Sequence, residues 1–258
     1  MLRKGNSMRD VILTVDLEYD FESNQDRNLT EVVPRLLDFL DANDITATFF
    51  VLGEIAEKYP ELVKRIAKRH EIASHGYRHI YFDTLSPEEL DAQLYKSKRS
   101  IERLGITCRG FRAPYYIYPK SLFTQLKRNH YKYDSSISSF FPGRYSHLLT
   151  KTKPFWKKPG ILELPVPNWT PFRFPPSGLS YYRFFYPLSR LLFKTPYMLY
   201  LHPCEFLEHQ PKNNINPLIK WIYNRNQGKA AWKLFTGLIE RSNANFISCD
   251  EFVKKYCL

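Results

Sequence analysis

The sequence has few cysteines, and they are scattered. Its 258 residues include four, at Cys108, Cys204, Cys249 and Cys257, with no C-x-x-C spacing among them. This pattern argues against a cysteine-based zinc site and against the disulfide framework of a small secreted domain. We therefore expect a protein of a reducing, cytoplasmic compartment.

Long apolar runs, internal repeats and low-complexity tracts are also missing from the sequence. No stretch approaches the roughly 20 apolar residues that span a bilayer, and the basic residues 1–7 lack the apolar segment of a secretory signal. The length suits a single domain, and 43% hydrophobic residues can build a full core. We expect an N-terminal extension over residues 1–10 and one domain over residues 11–258.

Acidic residues are nearly absent between residues 135 and 204, where Glu163 is the only one. The same segment holds nine Lys and Arg residues among many aromatic side chains, within a chain of net charge +12. Basic residues among aromatics suit an anionic partner such as phosphate, a membrane surface or a nucleic acid. We interpret residues 135–195 as a basic aromatic insert, and a loop-rich segment with a solvated face is the alternative.

The rest of the sequence alternates between strand-like and helix-like segments, which predicts an α/β fold with a parallel sheet. Four strand-like segments end in polar side chains. In a parallel β/α barrel, such ends meet at one edge, where the active site is built. The side chains at these ends are Asp16 and Glu18, His75 and His79, Arg112, and His202.

Each group has a chemistry that suits a shared site. Residues i and i+2 of an extended chain share a face, so Asp16 and Glu18 can point at one cation. His75 and His79, spaced as His-x-x-x-His, can bind the same ion. Arg112 is a permanent cation suited to holding a carboxylate. Each pattern alone is also typical of ordinary loop residues, and their combination favours a functional site.

Three of these segments resemble motifs of polysaccharide deacetylases of the NodB-homology type, carbohydrate esterase family four. Ser74-His-Gly-Tyr-Arg-His79 matches the family's Ser/Thr-His-x-x-x-His motif, Arg112-Ala-Pro-Tyr115 its Arg-x-Pro-Tyr motif, and Leu199-Tyr-Leu-His202 its Leu-x-Leu-His motif. The resemblance implies a distorted parallel (β/α) barrel of seven or eight strands in a single domain. It also implies a hydrolase that uses a divalent metal, with zinc as the first candidate, to remove N-acyl groups from sugars.

The resemblance further implies a role for each matching residue. Glu18, His75 and His79 would bind the metal, and Asp16 would be the base. Arg112 would orient Asp16, the Tyr115 backbone N–H would stabilise the oxyanion, and His202 would be the acid. Trp169 and Leu199 would contact the substrate.

Two departures from the family's pattern change these assignments. The first motif usually places base and ligand side by side, but here it reads Thr14-Val-Asp-Leu-Glu18, so Leu17 stands at the ligand position. Glu18 is our substitute ligand. The second departure concerns the Asp/Trp motif that tunes the acid histidine, where Glu163 or Glu205 could supply the carboxylate and Trp169 the apolar partner.

The substrate prediction is an amino sugar or glycan. A lipid-linked sugar at the inner membrane face fits the absence of an export signal, and no nucleic-acid partner is expected. The segment 181–194, with Arg183, Arg190 and Lys194, would dock on anionic lipid or instead form a lid. The functional alternatives are deformylation, metal-free hydrolysis of a cyclic amide as in allantoinase-like relatives, and a non-catalytic glycan- or nucleic-acid-binding barrel.

Overall fold

The computed structural model describes residues 9–20, 25–138, 153–158, 160–166, 177–188, 197–208, 221 and 224–258. Its strands are β1 Arg9–Leu17, β2 Thr48–Val51, β3 Glu71–Ser74, β4 Gly110–Phe111, β5 Tyr133–Asp134, β6 Phe155–Lys157, β7 Ile161–Glu163, β8 Met198–Leu201 and β9 Ala244–Ile247. Its α-helices are α1 Val33–Ala42, α2 Gly53–Lys58, α3 Pro60–Ala67, α4 Pro87–Glu102, α5 Leu122–Arg128, α6 Leu179–Phe184, α7 Lys229–Ser242 and α8 Cys249–Tyr256.

The strands form one sheet in the order β6-β7-β5-β4-β3-β2-β1-β8, and β9 also pairs with β1. Every neighbouring pair is parallel except β6 and β7. Seven parallel strands therefore follow one another, which confirms the predicted parallel α/β fold and its strand number. Within the described residues the path runs from β6 to β8 without closing, so the barrel is a curled half-barrel.

The two faces of the sheet pack into two separate cores. Alternation along a strand sends neighbouring side chains to opposite faces, and β1 follows this rule. Leu13, Val15 and Leu17 join the larger core, which includes the buried faces of the helices. Ile12 joins the smaller core with Phe50, and α8 contributes Cys249 and Val253 to it. The smaller core marks the concave face, on which the even-numbered residues of β1 lie.

Local sequence signals explain several helix ends. Ser86 caps α4, because its hydroxyl accepts a hydrogen bond from the Glu89 N–H and the Glu89 carboxylate accepts one from the Ser86 N–H. Ser248 and Glu251 form the same box at the start of α8. The first box confirms the helix start predicted from Ser86-Pro-Glu-Glu89.

The element boundaries of the structure differ from several of those predicted. β1 begins at Arg9, two residues before the predicted domain start. The helix predicted from Thr30 begins as a π-helical turn over Asn28–Val32, before α1. Residues predicted as an insert supply β6, β7 and α6, and β7 pairs with β5 inside the sheet.

None of the helices in the described part of the chain combines the length and the apolar composition that crossing a bilayer requires.

Candidate active site

The four polar strand ends meet at one edge of the sheet. β4, β3, β2, β1 and β8 are consecutive in the sheet and parallel. Their carboxyl ends therefore lie side by side. Short distances between side chains of different strand ends confirm the convergence predicted from the sequence.

Glu18, His75 and His79 form a compact cluster. One ligand-type atom from each lies within 4.8 Å of the other two. Glu18 Oε2 is 2.5 Å from His79 Nε2 and 4.0 Å from His75 Nε2. Among the described residues, no group donates a hydrogen bond to this buried Oε2 atom. A carboxylate and two imidazoles are a donor set of hydrolytic zinc sites, so these residues fit a divalent metal.

Leu17 cannot belong to this cluster. Leu17 is fully buried in the larger core on the convex face. Glu18 lies two residues after Asp16, so it is on the same face as Asp16 and reaches the site. The backbone beyond β1 is held by Asn28, whose Nδ2 donates to the Glu18 carbonyl at 2.8 Å. The Asn28 N–H donates to Asp20 Oδ1 at 2.9 Å. Asn28 was not predicted as a site residue, because its only signal is a contact across a loop.

His75 and Glu18 are in the protonation states that suit a bound metal. His75 is buried and its Nδ1 donates to the Arg112 carbonyl at 2.8 Å, which leaves Nε2 facing Glu18. Burial is the main reason that the pKa of His75 is lowered to about 4, so the ring is neutral. Burial pushes the pKa of Glu18 upward, but His79, His202 and His75 lower it to about 2. An ionised carboxylate and a neutral imidazole are the forms that bind metals.

Asp16 is held by a buried arginine. Arg112 is fully buried, and its Nη1 lies 2.6 Å from Asp16 Oδ1 and 3.0 Å from Thr14 Oγ1. Its Nη2 donates to Ser135 Oγ at 3.0 Å, and its guanidinium stacks on the Phe50 ring at 4.1 Å. The predicted pairing of Arg112 with Asp16 is thus present, and it engages one of the two carboxylate oxygens of Asp16.

His202 faces both carboxylates from the end of β8. Its Nε2 lies 3.8 Å from Asp16 Oδ2 and 3.9 Å from Glu18 Oε1. Its Nδ1 lies 3.7 Å from Glu205 Oε1, and the backbone N–H of His202 donates to the same oxygen at 3.1 Å. Burial lowers the pKa of His202, but Glu205, Glu18 and Asp16 outweigh it and raise the pKa to about 9.

Glu205 is in turn held by Arg183 of α6. Arg183 is buried, and its Nε donates to Glu205 Oε2 at 2.7 Å. Burial favours a raised pKa for Glu205, but Arg183 and His202 lower it. Of the two carboxylates considered as partners of His202, Glu205 is the one in contact. The use of Arg183 as a surface cation for membrane docking is wrong, because the side chain is buried in this ion pair.

Tyr115 lies in the loop that follows β4. Its backbone is left-handed, with φ 56° and ψ 4°, a strained conformation for an aromatic residue. The ring contacts His79 with 4.3 Å between ring centroids. Tyr115 is therefore next to the cluster, where its predicted role requires it.

Two predicted residues, Leu199 and Glu163, do not join the site. Leu199 belongs to the convex core, so its predicted substrate contact is wrong; Met198 and Tyr200 are the β8 residues on the concave face. Glu163 is buried and accepts a hydrogen bond from the Ile137 N–H at 3.0 Å, away from His202. Trp169 lies outside the described residues, as do Arg190 and Lys194 of the membrane-docking prediction.

Comparison with known families divides the chain into two blocks. Residues 3–133 match the model of the polysaccharide deacetylases. Residues 135–254 match a domain of unknown function, DUF3473. The first block contains the cluster, Asp16, Arg112 and Tyr115, whereas the second contains Arg183, His202 and Glu205.

Curated relatives match only part of this chain. A peptidoglycan-N-acetylglucosamine deacetylase from Bacillus cereus is 40% identical over 87 residues, which are 33% of this chain and 32% of the relative. A chitooligosaccharide deacetylase from Sinorhizobium fredii is 32% identical over 94 residues, which are 35% of this chain and 44% of the relative. The aligned segments thus span less than half of either relative.

Solved structures share the fold over almost the whole chain. A protein from Mycobacterium smegmatis proposed to be a polysaccharide deacetylase has a TM-score of 0.65 and 19% identity, and the match covers 96% of this chain and 90% of that one. A family-four pseudoenzyme from Bacillus anthracis has a TM-score of 0.55 and 17% identity, covering 95% and 65%. These similarities concern the fold alone. On the match of its first block and the motifs within it, the chain belongs to the polysaccharide deacetylase family.

Proposed function

We propose that this protein is a metal-dependent hydrolase that removes the acetyl group from an N-acetylated amino sugar of a glycan. The observation that supports the proposal best is the position of the Glu18–His75–His79 cluster beside two proton-transfer groups. Asp16 and His202 face one another beside the cluster, with His202 Nε2 3.8 Å from Asp16 Oδ2. Binding alone would not require such a base and acid pair.

Glu18, His75 and His79 would hold the cation, and zinc is our first candidate. When bound, a divalent cation supplies a Lewis acid that polarises the amide carbonyl and acidifies water. Asp16 would accept a proton from the attacking water through Oδ2, since Arg112 holds Oδ1 at 2.6 Å. The Arg112 pair keeps Asp16 in the orientation that this transfer needs.

His202 would complete the reaction by donating a proton to the leaving nitrogen. Water adds to the carbonyl carbon, the C–N bond breaks, and the products are acetate and the free amine. With its pKa raised to about 9, His202 carries the proton at neutral pH. The Glu205–Arg183 pair orients the ring, and the Tyr115 N–H would donate to the carbonyl oxygen as negative charge develops there.

The substrate class follows from the relatives that share the first block. Their names place them on peptidoglycan and chitooligosaccharides, so an N-acetylglucosamine-containing glycan is our first candidate for this chain. A lipid-linked amino sugar at the cytoplasmic membrane face is a finer proposal. Its basic contacts would have to come from side chains other than Arg183.

The test is amine release from N-acetylated sugars and oligosaccharides, from formamido sugars and from cyclic amides, with and without added zinc. We expect release from N-acetyl glycans that is lost with a chelator and restored by metal. Chelator-resistant turnover of a cyclic amide, with no release from any amino sugar, would replace the proposal with the metal-free alternative.

A further inference from the structure

Two exposed tyrosines form a stack at the rim of the site. The rings of Tyr81 and Tyr115 have centroids 4.3 Å apart and planes only 18° from parallel. Tyr115 also contacts His79, with 4.3 Å between centroids. Tyr115 therefore connects Tyr81 to His79, a proposed metal ligand. Among the ring pairs of the described residues, this is the one in which both partners are exposed.

The backbone around Tyr81 is fixed by its neighbours. Phe82 is fully buried and packs on Phe111 at 6.0 Å. Phe82 also lies against Gly76, where an added Cβ would come within 2.7 Å of its ring. Thr84 Oγ1 donates to the Tyr81 carbonyl at 2.8 Å. Because Phe82 is packed in the core, the backbone of this segment is held in place and the neighbouring Tyr81 side chain extends toward solvent.

The contact with Tyr115 does not bury the Tyr81 side chain. With Tyr115 stacked against its ring, the Tyr81 residue still exposes 46% of its surface to solvent. Large apolar surface held rigidly beside a reactive centre is typical of ligand-binding sites. A pyranose ring offers a face of C–H groups with partial positive charge, which complements the negative face of an aromatic ring.

We propose that Tyr81 is a sugar-binding subsite, on which the pyranose next to the reacting sugar stacks. The inference rests on the proposed function and sharpens it, because it makes the substrate an oligosaccharide of at least two sugars. Tyr115 packs against the Tyr81 ring and also contacts His79. The gain from the second sugar should then depend on the aromatic ring at position 81, and not on its hydroxyl group.

The experiment compares Tyr81→Ala, Tyr81→Phe and Tyr81→Trp with the wild type. A matched control is Tyr95→Ala, which removes another exposed tyrosine, on α4. Binding of chitobiose and chitotriose to the zinc-loaded protein is measured by calorimetry or ligand-observed NMR, independently of turnover. Where turnover occurs, kcat and KM are measured on N-acetylglucosamine and on both oligosaccharides.

We expect Tyr81→Ala to weaken oligosaccharide binding about tenfold, a stacking loss of the usual size. The ratio of the oligosaccharide kcat/KM to the monosaccharide kcat/KM should fall through KM, while Phe, Trp and the Tyr95 control keep it. Equal binding by the wild type and Tyr81→Ala, or no oligosaccharide binding by the wild type at millimolar concentration, would overturn the subsite. Binding that depends on Tyr81 without amine release would keep the subsite and refute the proposed deacetylation.

Discussion

The two family blocks of this chain meet inside a single sheet. The boundary between them falls at residue 134, within β5, and β5 pairs with β7 of the second block, with Tyr133 opposite Leu162 and Asp134 opposite Glu163. β8 of the second block likewise pairs with β1 of the first. The domain of unknown function therefore completes the same half-barrel, and its strand β8 carries His202 to the site.

The blocks also differ in what they contribute. The first block supplies the proposed metal ligands and the base, held by short contacts near the strand ends. The second supplies the proposed acid, held by Glu205 and by Arg183 from α6. This comparison predicts that loss of the Glu18–His75–His79 cluster in the first block removes metal. Loss of His202 or Glu205 in the second block should lower turnover and leave metal in place.

The largest effect is expected from His75→Ala combined with His79→Ala. Loss of both imidazoles should abolish zinc binding and reduce kcat/KM by about a thousandfold or more, since the cation supplies several kcal/mol of transition-state stabilisation. Metal analysis and amine-release kinetics check this. His70→Ala is the control, because His70 is a buried histidine at the opposite end of β3. Full zinc content in the double variant would break the assignment.

The next effect is that of His202→Ala in the second block. Loss of a general acid should lower kcat by about a hundred- to a thousandfold. Zinc content should stay near that of the wild type, because His202 is outside the cluster. Loss of zinc together with activity would make His202 a fourth ligand and erase the contrast between the blocks.

A smaller effect is expected from Glu205→Gln. Glu205 raises the pKa of His202, so the amide should lower that pKa and shift the alkaline limb of the kcat profile to lower pH. The loss in kcat should be about tenfold, typical of a residue that orients a functional histidine. A pH–rate profile measures both. An unmoved alkaline limb would remove Glu205 from this role.

The smallest effect is expected from Glu163→Gln, a change where the two blocks pair through β5 and β7. Burial first, and Asp134 second, raise the pKa of Glu163 well above its usual value, so the folded state binds a proton that the unfolded state loses above about pH 4.3. Stability from this group is complete below that pH and falls as the pH rises through the raised pKa. Glu163→Gln stays neutral, so its melting temperature relative to the wild type should rise between pH 5 and pH 9. A difference that does not change with pH would contradict the raised pKa of Glu163 in the folded protein.

The sequence predicted the polar edge well because parallel strands bring their carboxyl ends together. Alternation along β1 was enough to select Glu18 over Leu17, and the same rule, applied to β8, would have placed Leu199 on the convex face. The sequence could not reveal the contacts of Arg183 and Asn28, because their partners lie 22 and 10 residues away along the chain. Nor could it separate Glu205 from Glu163, since both are single carboxylates whose contacts depend on the tertiary fold.

The most direct test of the metal centre is zinc titration of the wild type, Glu18→Gln and Asp16→Asn, followed by amine-release assays. The account predicts about one zinc ion per chain in the wild type and in Asp16→Asn, with turnover lost in the latter. Glu18→Gln should bind zinc at least about tenfold more weakly. Wild-type zinc affinity in Glu18→Gln would contradict the account, because the ligand carboxylate would then have to come from another residue.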